Sequence, residues 1–206
     1  MIGRRVARFA CAALALPATV AVAQVPVDYT WRTDNLLFYM GRLDARWQVP
    51  MREAVDRWID SPVGIVLTLD ATPLGLSCQM NSRNDVWFSA DNCGFGDGDT
   101  RWGETTLAVT NISTRSGEIL ETDIQFNSLQ PWTVSDLPYP GLSADFTRVA
   151  AHELGHAIGA GHSDNPDDLM YFTSNTSVQP QAADIRALAQ QPVYGWDGYV
   201  DLSLGA

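Results

Sequence analysis

His152-Glu153-Leu154-Gly155-His156-Ala157-Ile158-Gly159-Ala160-Gly161-His162 holds all three histidines of a 206-residue chain. The spacing H-E-x-x-H-x-x-G-x-x-H supplies three imidazole ligands for one zinc ion, with a carboxylate beside the first. His152 and His156 are four residues apart, so on a helix they project from one face, one turn apart. A third ligand from the next turn would strain the helix. Gly159 resolves this, because glycine tolerates the left-handed conformation that ends a helix and lets the chain swing back with His162. Three neutral nitrogen donors leave a fourth zinc position open for water, which marks a catalytic rather than a structural site. Glu153 is placed to take the proton of that water as general base. Three histidines gathered only for packing would leave Glu153 and Gly159 without a reason.

Working outward, Phe146, Val149, Ala150, Leu154, Ala157 and Ile158 mark the core face of a helix expected from Ala144 to Ile158. Ser143 is its expected cap, with Asp145 favourable in the first turn. Further upstream, Val27 to Trp31, Ile65 to Leu69, Asp85 to Ser89, Thr105 to Thr110 and Ile119 to Phe126 read as strands. Ser116-Gly117 forms the turn between the last two. Pro50 precedes Met51, Ala54, Val55, Trp58 and Ile59, one apolar helix face with proline in the first turn. Gln181 to Gln190 reads as a last short helix. Strands come first and helices later, so the fold class is α+β.

The length suits one domain. Arg4, Arg5 and Arg8 precede the apolar run Phe9 to Val22, and Ala21-Val22-Ala23 offers a cleavage site. Residues 1–23 are therefore expected to be a secretory signal, and residues 24–206 a single domain with no membrane span. Cys11 lies in that signal, which leaves Cys78 and Cys93 as an expected disulfide in an exported protein. The chain has no lysine, and its formal charge of −11 becomes −14 once Arg4, Arg5 and Arg8 are removed. No basic stripe remains to neutralise phosphates, so nucleic acid is excluded as a partner. Asp91, Asp97, Asp99 and Glu104 lie in a glycine-rich loop and offer oxygen ligands for calcium, although such loops are usually only solvated.

The histidine window, followed by Leu169-Met170-Tyr171, resembles the metzincin zinc endopeptidases, whose hallmark is a methionine-bearing turn beneath the metal. Within that clan, Gly161-His162-Ser163 and Pro166-x-x-Leu169-Met170-Tyr171 are most similar to the matrixins. Leu107-Ala108 resembles the strand that holds substrate there, Asp123-Ile124-x-Phe126 the strand after it, and Asp184-Ile185 the terminal helix. The resemblance implies a twisted mixed sheet with a backing helix, a central active-site helix, a Met-turn at Met170 and a C-terminal helix. It also implies that Met170 floors the metal without binding it. Phe172 stands where matrixins usually carry proline, which affects the specificity pocket wall. No histidine is left for the structural zinc common in matrixins. No cysteine lies between residue 23 and the first strand, so a cysteine-switch zymogen is not expected.

The function expected is hydrolysis of internal peptide bonds by a secreted, monomeric zinc endopeptidase acting on protein or peptide substrates. A peptide would lie extended along Thr106-Leu107-Ala108-Val109 as an added strand. A catalytically silent zinc-binding adhesion module is the alternative, and Glu153 argues against it, since a structural site needs no base. A zinc hydrolase of non-peptide amides is a third reading.

Overall fold

Apolar residues at every second position drive the sheet, and those at helical spacing cover it. The computed structural model describes the backbone of residues 5–12, and residues 29–76, 78, 80–93, 100–135, 144–173 and 175–189. In chain order the strands are β1 (Arg5–Ala12), β2 (Asn35–Tyr39), β3 (Val66–Asp70), β4 (Asn84–Ser89), β5 (Thr106–Arg115), β6 (Glu118–Asn127), β7 (Trp132–Thr133) and β8 (Ala144–Asp145). The helices are α1 (Ala45–Ile59), α2 (Phe146–Ala157) and α3 (Ala182–Ala189).

The main sheet runs in the order β1-β5-β6-β4-β2-β3. β2, β3, β4 and β6 run parallel to one another, whereas β5 runs antiparallel to β6 and to β1. The fold is thus α+β with a mixed sheet, a backing helix and a central helix. A two-residue turn closes the β5–β6 hairpin, with positive φ at Ser116 (52°) and Gly117 (84°). The second of these suits glycine, which has no Cβ to clash there. β7 and β8 form a short parallel pair.

The core lies between the sheet and the two long helices. Phe38, Trp58, Phe126 and Phe146 are completely buried in it. Trp47, Phe88, Phe126, Trp132 and Phe146 form an aromatic cluster with centroids 4.7 to 5.9 Å apart, which holds the start of α1 against the start of α2. Tilted and edge-on ring pairs of this kind add about 0.5–1.5 kcal/mol beyond their buried area.

Two helix starts and two strands differ from the sequence reading; of the strand read over Val27 to Trp31, the described residues keep only an isolated bridge from Thr30 to Glu118. Pro50 lies inside α1 rather than in its first turn. Its missing N–H forgoes one bond to the carbonyl four residues back, but burial of Trp47 in the aromatic cluster draws the helix a turn further towards its N-terminus. α2 begins at Phe146, and its cap is Asp145, whose side chain accepts from the Arg148 N–H at 2.8 Å. Ala144 and Asp145 are instead engaged as β8. Asn35–Tyr39 is a strand absent from the sequence reading, although Leu36 and Phe38 alternate inwards with exposed neighbours.

Residues 5–12, expected within a secretory signal, form β1 along the outer edge of β5, with Cys11 opposite Ala108 and Ala12 opposite Thr106. Ala23, Asp97, Asp99, Ser143 and residues 190–206 lie outside the described residues. Among the described residues, no helix is long and apolar enough to cross a membrane. The sulfurs of Cys78 and Cys93 are bonded, tying the loop after β3 to the loop after β4 across a separation of 15 residues.

Candidate active site

α2 is fixed on both sides by tryptophans. Trp58 of α1 donates its indole N–H to the Ala151 carbonyl at 2.7 Å, and Trp31 donates to the Ala157 carbonyl at 2.8 Å. The second bond satisfies a carbonyl of the last turn, which has no partner within the helix. Gly155 lets the layers close. A Cβ there would overlap the Met170 sulfur and come within 2.7 Å of the Trp58 ring.

The helix ends in a Schellman turn: Ala160 N–H bonds the Gly155 carbonyl at 2.8 Å, and Gly159 N–H bonds the His156 carbonyl at 3.0 Å. Gly159 takes φ 106°, which glycine adopts without a steric penalty. The same turn aims the Ala160 carbonyl at His156 Nδ1, 2.8 Å away. His152 Nδ1 meets the Leu169 carbonyl at 2.8 Å. Each bond places the proton on Nδ1 and leaves the Nε2 lone pair facing inwards, the usual way a ligand histidine is oriented.

His152 and His156 bring their Nε2 atoms to 3.1 Å. His162 completes the group: one donor atom from each of the three lies within 4.8 Å of the others. Two nitrogens at about 2.0–2.1 Å from one tetrahedral ion lie roughly 3.3 Å apart, so the donor set fits zinc. Burial keeps the rings neutral. It lowers His152 to about 3, with help from the neighbouring His162 ring, lowers His156 well below the ordinary histidine range, and lowers His162 to about 4. A ligand nitrogen must be unprotonated, and these are at neutral pH.

Glu153 is fully buried beside this group. Thr110 Oγ1 of β5 lies 2.6 Å from its Oε2 and 3.1 Å from its backbone oxygen. Below the histidines, Ser163 N–H bonds the Met170 carbonyl at 2.8 Å, so the chain turns back under the site with Met170 buried at its base. Asp184 of α3 pins this turn. Its carboxylate accepts the N–H groups of Leu169 (3.0 Å), Met170 (3.2 Å) and Gln181 (2.7 Å). Burial raises its pKa to about 6 against the opposing pull of those bonds.

Tyr171 packs against Phe172 at 4.5 Å between centroids, and the Phe172 side chain is exposed. Leu107 and Ala108 are buried in β5, whose outer edge carries β1. Of the loop carboxylates suggested for calcium, Asp91 and Glu104 are exposed.

Sequence reading missed the roles of Thr110 and Asp184. Thr110 is 43 residues from Glu153, and no local pattern links them. Strand parity was the available signal, since Thr110 shares a face with Ala108. For Asp184, the clue was an acidic residue in the first turn of the last helix.

A family model described as Matrixin matches residues 70–195. Human matrix metalloproteinase-20 is 28% identical over 151 residues, covering 72% of this chain and 28% of that protein. Metalloendoproteinase 4-MMP of Arabidopsis thaliana is 26% identical over 149 residues, covering 71% of this chain and 39% of that protein. Matrilysin of Felis catus is 43% identical over 61 residues, 27% of this chain and 22% of that protein. The chain therefore spans well under half the length of these curated relatives. With more than half of its residues matched by the family model, and with this α+β architecture around the histidine cluster, the chain belongs to the matrixin family of zinc metalloproteases.

Proposed function

We propose that residues 24–206 form one catalytic domain of a secreted endopeptidase that cleaves internal peptide bonds, with His152, His156 and His162 holding one zinc ion and Glu153 acting as general base. The observation that carries this reading is the convergence of three imidazoles, neutral through burial, beside a buried carboxylate. A bound zinc ion would supply Lewis acidity for attack on the scissile carbonyl.

The protein's own groups do the rest. The Leu169 and Ala160 carbonyls orient two of the imidazoles. Glu153 takes a proton from the attacking water on its carboxylate and delivers it to the leaving amine nitrogen. Met170 packs beneath the histidines as an apolar floor, and Asp184 holds the turn that carries it. Leu107 and Ala108 present the β5 backbone, along which an extended peptide would pair as an added strand. β1 takes that edge while residues 5–12 are attached. Cleavage after Ala23 would remove β1 and free the edge for substrate.

The test is degradation of casein or gelatin by the secreted protein. Activity should disappear with a chelator, return with zinc, and fall by roughly 10²–10⁴-fold in Glu153→Ala. Stoichiometric zinc without cleavage of any protein or peptide library would sink the peptidase reading and leave a zinc-binding module. The amino-terminal sequence of the exported protein tests the boundary at Ala23.

A further inference from the structure

We propose that Thr110 is a positioning residue for the general base, fixing the Glu153 carboxylate to the strand along which substrate would lie. The proposal rests on the peptidase reading above. Thr110 is fully buried on the face of β5 turned towards α2. Its hydroxyl has one proton, and two acceptors among the described residues lie within reach, both on Glu153: Oε2 at 2.6 Å and the backbone oxygen at 3.1 Å. The shorter contact has the length of a charge-assisted O–H···O⁻ bond, which is stronger than a neutral one.

A glutamate turns about several bonds, and a general base is effective only within hydrogen-bond reach of the proton it takes. Donating to Oε2 removes the swivel of the carboxylate and so fixes the direction in which the base is presented. Position along the strand matters as much. Thr110 is two residues from Ala108 and shares its face, so one rigid element would hold both the substrate backbone and the base. A site built on such an element keeps its geometry better than one built on loops. Valine at this position has nearly the same shape and no proton to give.

The experiment compares Thr110→Val, Thr110→Ser and Thr110→Ala with the wild type in the zinc-loaded protein. Cleavage of a peptide gives kcat and KM, and chelator competition gives zinc affinity. The expected result for Thr110→Val is a kcat lower by about tenfold or more, the loss typical of a hydrogen bond to a charged group, with KM and zinc affinity unchanged. Thr110→Ser should return kcat close to the wild-type value. Crystal structures should show one carboxylate orientation in the wild type and in Thr110→Ser, and several in Thr110→Val.

A wild-type kcat in Thr110→Val, or serine as impaired as valine, overturns the proposal, because the hydroxyl would then do nothing that packing does not. If valine prevents folding, the serine and alanine variants make the same comparison. A wild-type chain that cuts nothing sinks the peptidase reading instead. The carboxylate orientations then decide the positioning role, and an unchanged orientation without the hydroxyl overturns it.

Discussion

The two faces of the β5–β6–β4 sheet bury polar groups in different ways. On the face towards α2, Ala108, Thr110 and Ile112 alternate inwards, and the polar member of that set bonds the Glu153 carboxylate. On the opposite face, Asn111 lies across from Asp123, and Val109 from Gln125. Asp85, Glu121, Asp123, Asn111 and Gln125 are all buried there. The side chains of Asn111 and Gln125 have no hydrogen-bond partner among the described residues. Asp123 accepts the Asp85 N–H at 2.9 Å, and the Asp85 carboxylate pairs with Arg83 at 3.2 Å. Burial on the α2 side thus joins polar groups into one constellation, and burial on the other side leaves part of its polar set unanswered. Buried polar groups with partners give a unique geometry, whereas those without partners cost stability.

The largest effect should follow from Glu153→Ala. Peptide cleavage should fall by roughly 10²–10⁴-fold, the usual contribution of a positioned general base, while stoichiometric zinc is retained. Near-normal turnover in this variant would remove the functional meaning of the α2 face.

Asp123 probes the opposite face through pH. Burial first, then the Glu121 and Asp85 charges, raise its pKa from 3.8 to about 8. A folded-state pKa above the unfolded value means that stability is fully present below about pH 4 and is lost as pH rises towards 8. Asp123→Asn, which keeps an oxygen for the Asp85 N–H, should melt at a higher temperature than the wild type at pH 8 by an amount worth a few kcal/mol. The two should converge at pH 4. Parallel melting curves across this range would show that the carboxylate is not buried as a neutral acid.

Gly155→Ala tests how tightly the α2 side is packed. The added methyl meets Met170 and Trp58, so a loss of about 1–3 kcal/mol from overpacking is expected in denaturant titration. Gly75→Ala, where nothing lies within 4 Å of the new atom, serves as a control. Equal stability in both variants would mean that the Met170 turn yields easily.

The smallest effect belongs to Gln125→Met, of similar shape, which removes an unsatisfied amide. Stability should be unchanged or raised by about 1 kcal/mol. A clear loss would reveal a partner for Gln125.

The site was more legible in sequence than the fold that frames it. The histidine window is local: a helical turn sets the His152–His156 distance, and a glycine with φ 106° sets the return to His162. The hairpin at Ser116-Gly117 was legible for the same reason. Helix starts were not. Whether α1 begins at Ala45 or near Pro50 depends on Trp47 finding Phe88 and Phe146. Asp145 caps α2, and the helix starts no earlier than Phe146, because Ala144 and Asp145 are paired with Trp132 and Thr133.

Sequence alone determined the spacing of the histidine cluster, which rests on residues within one or two turns of one another, and the α+β class and the resemblance to matrixins, which rest on the order of elements and motifs along the chain. Only the tertiary structure decided that Thr110 meets Glu153, that Asp184 pins the Met170 turn, that β1 lies on the β5 edge, and that one sheet face buries amides without partners among the described residues. Those contacts join residues distant in the chain. Their energy depends on which elements pack together, and no local propensity encodes that choice.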